Sequence, residues 1–346
     1  MYGYMSTQRC LGASGSKTTI IRSDEASSNS DYGKPGMFGA DLNASYYTIE
    51  QPYTLMYTTA SQASYIIETA PSVDFSGNEE LRNAYMGEAY FWRALAHYYL
   101  LINFRNISPI RQMPRNGDDY VRPLEKPAAV WNFIQEDLAH AKELLPVKGY
   151  WDSKNAGRVT KASAAALLGK AYLYRSGIEQ YYGEDKTTFY SEAAKEFGDV
   201  IDGKYGTYDL TKNYADNFDV AHENNEESIL EFQFLGDVDN AGFNPGLATS
   251  GLAFDSRGLM LPGAGVGYEG VVHNWLYNAF VNSVDKDGYT DIRMFSTMIF
   301  NDLDASIHLR NDAGGNPVRL EGPGGYKWEE LYPAKNGKEG FATVSN

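Results

Sequence analysis

The chain has 346 residues, with 30 Lys and Arg against 45 Asp and Glu, and a formal net charge of −15. This charge repels phosphate backbones and anionic lipid surfaces, which excludes nucleic acid as an expected partner and disfavours direct adsorption to a membrane. The hydrophobic share of 43% is too high for a disordered chain, and the length allows one or two domains with a sizeable core.

A single cysteine, Cys10, excludes an internal disulfide framework. The preceding Ser6-Thr7-Gln8-Arg9 lacks the apolar run of a lipoprotein signal, so Cys10 is not a lipid anchor. No apolar stretch approaches the roughly 20 residues of a membrane-spanning helix, and no signal peptide is recognisable. We expect any targeting segment to lie outside this sequence.

The first predicted elements follow a Ser/Gly-rich segment, residues 1–45. Apolar spacing predicts a helix from about Tyr46 to Thr69, with Pro52 in its first turn and Pro71 beyond its end. The next helix, Leu81 to about Asn103, alternates small residues with large aromatics and leaves almost no polar face. Such a helix must be covered on nearly every side, which predicts a position inside a helical array.

Three more helices are predicted after a Pro/Gly-rich loop, residues 104–127. They are Ala128–Leu145, closed by Pro146; Lys161–Ser176, capped by Thr160; and Phe189–Asp202, stopped by Gly203.

The helices carry two repeats of a tetratricopeptide-like (TPR-like) pattern. The first repeat has Gly87 with Tyr90, then Ala141 with Pro146; the second has Gly169 with Tyr172, then Ala194 and Phe197. We therefore predict a mostly α fold, a TPR-like array of helical hairpins that forms a superhelix.

Beyond residue 224 the pattern changes. Alternation over Ser228–Phe234 predicts a strand, and the remaining chain is rich in Gly, Pro and Asn, with short periodic pieces such as Val272–Val281. We predict a helical scaffold with an N-terminal loop region over residues 1–235. Residues 236–346 are predicted to form an irregular, loop-rich lobe with short strands.

The sequence lacks the motifs of common catalytic sites. Gly12–Thr18 does not have P-loop spacing, the five histidines form no HExxH zinc motif, and no GxSxG nucleophile elbow occurs. We interpret the acidic pairs as solvated surface groups, although a glycosidase needs only two facing carboxyl groups. These pairs are Asp24 with Glu25, Asp118 with Asp119, and Asp302 with Asp304. We predict that the chain is not an enzyme and carries no cofactor.

Asp285, Asp287 and Asp291 offer oxygen ligands around Gly288, but the loop lacks the Gly and Glu positions of a calcium-binding loop. A solvated turn is the favoured interpretation, and calcium at these three residues stays as the alternative.

Glu88 and Arg93 lie on the crowded helix and are predicted to be structural. We expect Arg93 to bond helix ends or a buried acid such as Glu88 or Asp137, because an unpaired buried charge is costly.

Several segments match a set of motifs in the same order along the chain. They are 87–94, like GEARFLRA; 104–110, like FGDVPLI except for Arg105 in place of Gly; 134–138 and 143–146, like IxxDLxxAxxLLP; 157–161 with 164–174, like GRVTKxAAxALLAKVYLY; and 223–229, like an acidic turn before a strand. In these motifs the chain resembles the SusD/RagB family of surface glycan-binding lipoproteins from Bacteroidetes. The likeness covers most of residues 46–300.

The chain also departs from the family pattern. Ala63-Ser64 stands where Ala-Asn is usual, and Tyr53 stands where Trp is common. The chain ends at Asn346 without the family's late RYADVLLxxAEA-like helix, and the lipoprotein signal is missing. We expect the sequence to be an internal segment of a longer protein.

Aromatic residues outside the helical periodicity are the candidates for ligand contact, because a flat aromatic face stacks on the C–H-rich face of a sugar ring. They lie with amide side chains in two regions: Asn43, Tyr46 and Tyr47 before the first clear helix, and Tyr268, Asn274 and Trp275 in the loop-rich lobe. The alternative is a local hydrophobic cluster under the loops.

The resemblance implies non-catalytic capture of an oligosaccharide or polysaccharide on the extracellular face of the outer membrane. It also implies delivery of the sugar to a SusC-like TonB-dependent transporter, and a lipid anchor in the full-length protein. Two other functions stay open: a helical protein-interaction scaffold with no glycan site of its own, and a glycoside hydrolase.

Overall fold

A computed structural model describes residues 1–7, 10–11, 24, 26–27, 44–183, 187–218, 220–233, 271–298, 306–319 and 344–345. Contacts divide the chain into two compact units. The helical unit contains the described residues of Met1–Cys10, Gln51–Leu210 and Glu226–Thr249, and the second unit those of Leu11–Glu50, Thr211–Asn225 and Ser250–Asn346. The boundary predicted at 235/236 lies outside the described residues and stays a prediction.

The described residues are mostly helical, which confirms the predicted fold class. The helices are α1 (Tyr2–Met5), α2 (Tyr47–Thr69), α3 (Glu79–Phe104), α4 (Pro127–Leu144), α5 (Lys161–Tyr182), α6 (Tyr190–Ile201), α7 (Asn274–Asn282) and α8 (Met294–Thr297). The strands are β1 (Ala26–Ser27), β2 (Val271–His273) and β3 (Val344–Ser345). None of the described helices is long and apolar enough to cross a membrane.

Helix α3 is the buried centre of the helical unit. The side chain of Asn78 caps its N-terminus by accepting a hydrogen bond from the Leu81 N–H at 3.0 Å. Most residues from Ala84 to Leu101 are buried, including the large side chain of Trp92. The predicted helix over residues 81–103, covered on nearly every side, is confirmed.

Two glycines show how closely the neighbouring helices approach. A Cβ atom at Gly87 of α3 would lie 2.8 Å from Leu145 Cγ and 3.0 Å from the Leu145 backbone N, just after α4. A Cβ atom at Gly169 of α5 would lie 2.8 Å from the Phe197 ring of α6. Helices α3 and α4, and then α5 and α6, therefore form the two hairpins that the TPR-like pattern predicts, and α4 also contacts α5.

We expect Gly169→Ala to be less stable than Gly177→Ala by about 1–3 kcal/mol, because the added methyl group at residue 169 overpacks against Phe197. Gly177 lies on the same helix, and a Cβ atom there meets nothing within 4 Å. Gly177→Ala should therefore gain up to about 1 kcal/mol from helix propensity. Urea unfolding followed by circular dichroism measures both variants, and equal stabilities would contradict the close packing of α5 on α6.

Two helix ends differ from the sequence-based expectation. Helix α2 begins at Tyr47, so Pro52 is its sixth residue and lies beyond the first turn, where it cannot donate to the carbonyl four residues earlier. Helix α5 continues past Ser176 to Tyr182. It ends where Gly183 takes a left-handed conformation, with φ +69°.

The predicted strand at Ser228–Phe234 is wrong for its described part, residues 228–233, which form no regular element. This segment instead makes side-chain contacts with the helices. The Ser163 hydroxyl donates to the Ile229 carbonyl at 3.0 Å, and the Phe232 ring lies 5.7 Å from the ring of Trp92. The alternating pattern therefore reflects packing against helices and not a strand ladder.

A buried ion pair joins α3 to α4. The Arg93 Nε and NH2 groups donate to the two carboxylate oxygens of Asp137 at 2.7 and 2.8 Å. The remaining nitrogen of Arg93 donates to Ser64 Oγ at 3.1 Å and to the Arg111 carbonyl at 2.8 Å. The structural role predicted for Arg93 is confirmed, and its partner is Asp137.

His97 is a buried neutral link between α3 and the loop that follows it. The Ile110 N–H donates to His97 Nε2 at 2.9 Å, so the ring proton lies on Nδ1, which donates to the Arg93 carbonyl at 2.7 Å. Burial lowers the pKa of His97 to about 3, and the positive charges of Arg93 and Arg111 act in the same direction.

Arg105 ends α3 with a positive φ of +60°, at the position where the resembled motif has Gly. Its guanidinium donates to both carboxylate oxygens of the buried Glu179 at 2.8 and 3.0 Å, and the Trp131 indole N–H donates to the same carboxylate at 2.8 Å. These hydrogen bonds stabilise Arg105 in a backbone conformation that glycine would adopt at a lower steric cost.

The second unit is built on a small three-stranded sheet in the order β1-β2-β3. Strand β2 is antiparallel to β1 and parallel to β3. A buried cluster of Met294, Phe295 and Met298 packs against Val272 of β2 and against α7. The predicted short strands are therefore present among the described residues.

Candidate functional site

An open cleft of about 840 Å³ lies in the helical unit. It is bordered by α1, the end of α2, the start of α3, the loop before α5, and residues 231–233. Its walls carry aromatic side chains from distant parts of the sequence: Tyr2, Phe75, Tyr85 and Phe232. This volume and apolar lining are typical of pockets for small ligands.

The cleft also contains an ion pair between Arg158 and Glu88. Arg158 donates from Nε to Glu88 Oε1 at 2.7 Å and from NH2 to Oε2 at 2.5 Å, and the Tyr2 hydroxyl donates to Oε1 at 3.0 Å. The hydrogen bond to Glu88 raises the pKa of Arg158, and burial with the Glu88 charge raises that of Tyr2. Both donors therefore stay protonated at neutral pH.

The Arg158 guanidinium lies over two aromatic rings. Its central carbon lies 4.8 Å from the ring centroid of Tyr85 and 4.3 Å from that of Trp151, and its NH1 donates to Asn155 Oδ1 at 3.1 Å. Cation–π contacts and the ion pair together fix the side chain.

Gly157 lets residues 231–233 approach the loop before α5. Its φ is +78°, and a Cβ atom there would lie 2.6 Å from both the Glu231 carbonyl oxygen and Gln233 Cγ. Only glycine fits this backbone and this approach. One border of the cleft is therefore tightly packed.

Trp275 presents an exposed aromatic side chain in the second unit. It is the second residue of α7, directly after β2. Its indole N–H donates to the Asp24 carbonyl, and the residue stays 46% exposed. Other residues of α7 pack on the Met294 cluster. The ring is thus held at its N–H edge while much of it remains open to solvent.

The carboxylates of the acidic loop pair with arginines, which favours the solvated turn over the calcium alternative. Arg310 donates to Asp285 at 2.6 Å and to Asp287 at 2.7 Å, while Asp291 pairs with Arg293. No group of three or more acidic, His or Cys side chains that could hold a metal ion occurs among the described residues. The carboxylates are thus paired with the guanidinium groups of Arg310 and Arg293.

The predicted contact residues are only partly described. Asn43 and Tyr268 lie outside the described residues, as does the side chain of Tyr47. Tyr46 directly precedes α2 and is partly buried, and Asn274 is the first residue of α7, beside Trp275. Tyr46, Asn274 and Trp275 do not line the cleft.

Sequence reasoning missed the cleft. Glu88 and Arg158 both fall in segments that resemble family motifs, yet their pairing joins positions 70 residues apart. No periodicity connects Tyr2, Phe75 and Phe232. The sequence offered one signal for the cleft, Gly157 directly before Arg158. A glycine can mark a backbone position that another chain segment approaches closely.

The stacked hairpins define a helical-repeat protein of the TPR-like class. A SusD-like family model, described as "Starch-binding associating with outer membrane", matches residues 10–173. A SusD-like protein from Bacteroides ovatus is 29% identical over 180 residues, which cover 52% of this chain and 32% of that protein. Residues 10–173 of the chain are thus similar to the SusD-like family.

Solved structures share the fold. A SusD superfamily protein from Bacteroides vulgatus matches with a TM-score of 0.66 at 22% identity, over 85% of this chain and 58% of that one. A laminarin-binding SusD-like protein matches with a TM-score of 0.64 at 22% identity, over 99% of this chain and 73% of that one. The chain spans about a third of the length of the B. ovatus relative.

Proposed function

We propose that this chain belongs to a non-catalytic carbohydrate-binding protein of the outer membrane. The protein would be lipid-anchored on the extracellular face, would capture an oligosaccharide or polysaccharide, and would deliver it to a SusC-like TonB-dependent transporter. The similarity of residues 10–173 to a family described as starch-binding supports this role, as does the fold shared with a laminarin-binding protein.

The observation that carries the proposal is the anchored, half-exposed indole of Trp275. A fixed aromatic ring open to solvent is suited to stacking on a sugar, because little side-chain freedom is lost on binding. Asn274 supplies an amide beside it. Asn43, Tyr46, Tyr47 and Tyr268 are proposed as further contacts.

The pairing of three buried carboxylates with arginines supports the proposal that the protein is non-catalytic. Glu88, Asp137 and Glu179 each accept hydrogen bonds from an arginine at both carboxylate oxygens. A glycosidase needs one carboxylic acid free to donate a proton and a second carboxylate facing it. The acidic groups held in these three pairs are structural.

We expect Trp275→Ala to weaken sugar binding at least tenfold, because the stacking surface is lost. The wild-type dissociation constant should lie between about 1 µM and 1 mM, typical of weak capture. Affinity gel electrophoresis against laminarin, xyloglucan, starch and host glycans measures the effect. Tyr190→Ala, which removes an exposed tyrosine from the first turn of α6, is the matched control. Unchanged mobility of wild type in every glycan would contradict the proposal.

A further inference from the structure

We propose that the cleft of the helical unit is a second sugar-binding site, separate from the Trp275 surface, and that it takes a short stretch of neutral sugar chain. The ligand class rests on the proposed function. The site itself rests on the cleft's walls, its internal charge balance and its packed border.

The walls are suited to sugar rings. Tyr2, Phe75, Tyr85 and Phe232 supply aromatic surface from several directions, and the amides of Asn155 and Gln233 are among the lining groups. Aromatic faces match the C–H faces of a pyranose, while amides exchange hydrogen bonds with its hydroxyls. The volume of about 840 Å³ lies within the range of ligand pockets.

The charges of the cleft favour a neutral sugar. Arg158 uses Nε and NH2 on Glu88 and NH1 on Asn155, so every nitrogen of its guanidinium already donates to a protein acceptor. A uronate or sugar phosphate would have to displace Glu88, which would leave that carboxylate buried without its cation. Two further charged side chains line the cleft, Lys154 and Glu231, and their charges are opposite. Lys154 is exposed, so its attraction for an anion is screened by solvent.

The cleft is also held in shape before a ligand arrives. The approach of residues 231–233 to Gly157 and the packing of Arg158 against Tyr85 and Trp151 fix two of its sides. A preorganised site loses less conformational entropy on binding.

The test compares two ways of disabling the cleft in a protein that already carries Trp275→Ala. Tyr85→Ala removes a wall, and Ala156→Trp fills the cleft from its exposed rim without deleting a contact. Laminaritriose is the neutral probe and trigalacturonate the charged one, with binding measured by saturation-transfer NMR and calorimetry. Circular dichroism and thermal unfolding verify that each variant is folded.

We expect the Trp275→Ala protein to retain laminaritriose binding, and Ala156→Trp and Tyr85→Ala each to weaken that residual binding at least tenfold. Tyr190→Ala should leave it unchanged. If Trp275→Ala alone abolishes binding, or if Ala156→Trp does not affect the residual binding, the second site is refuted while the proposed function stands. Equal or tighter binding of trigalacturonate at the cleft would refute its preference for neutral sugars. If wild type binds no sugar at all, both proposals fail.

Discussion

Asp137→Ala is expected to destabilise the helical unit by about 3–5 kcal/mol. The substitution leaves the Arg93 guanidinium buried without a counter-charge, and the cost of an uncompensated buried charge exceeds the net contribution of the pair itself. Arg93 and Asp137 are both buried, with side-chain exposures of 7% and 3%, so water cannot replace the lost partner. Urea unfolding monitored by circular dichroism should show a large fall in the midpoint.

Lys204→Ala is the control for this prediction. Lys204 pairs with Asp199 at 2.6 Å, but its side chain is 54% exposed. Exposed ion pairs contribute between about 0 and 1 kcal/mol, so the control should differ little from wild type. If both variants lost the same small amount of stability, the buried pair would not be holding α3 to α4.

Acid is expected to destabilise the helical unit through His97, by about 3 kcal/mol between pH 7 and pH 4. An unfolded histidine titrates near its ordinary pKa of about 6.5, whereas burial lowers the pKa of folded His97 to about 3. Above pH 6.5 both states are neutral and the residue has no effect on pH dependence. As pH falls below 6.5 the unfolded state binds a proton that the folded state rejects, so stability declines until pH approaches 3.

His97→Gln separates this effect from the titration of carboxylates. A glutamine amide supplies both an acceptor for the Ile110 N–H and a donor to the Arg93 carbonyl, and it does not titrate. We expect urea unfolding at pH 7, 5.5 and 4 to show a shallower decline for the variant than for wild type. Parallel declines would mean that His97 is not neutral in the folded state.

The helical hairpins were predictable from sequence because their cause is local in the sequence. Gly87 and Gly169 lie at fixed positions in their helices, and each marks the point where the partner helix approaches closely. Alternating small and aromatic residues likewise predicted that α3 would be buried. Helix ends were predicted less well, because a helical glycine at residue 177 and a left-handed glycine at residue 183 look alike in sequence.

The cleft could not be predicted because its residues are far apart in the sequence. Tyr2, Phe75, Tyr85 and Phe232 come together only through tertiary packing, and none stands in a pattern that links it to the others. Trp275 could be singled out because it is an aromatic residue outside the predicted helical periodicity and lies beside an amide side chain in a loop-rich region. Its anchor, the Asp24 carbonyl, is a backbone atom 251 residues away and leaves no mark in the sequence.

Co-crystallisation with laminari-oligosaccharides tests the central claim, sugar capture on two aromatic surfaces, most directly. The account predicts density for one sugar ring stacked on the Trp275 indole and for another between the aromatic walls of the cleft beside Arg158. A sugar that binds elsewhere and touches neither surface, or full-length protein that shows no sugar density at millimolar oligosaccharide, would contradict it.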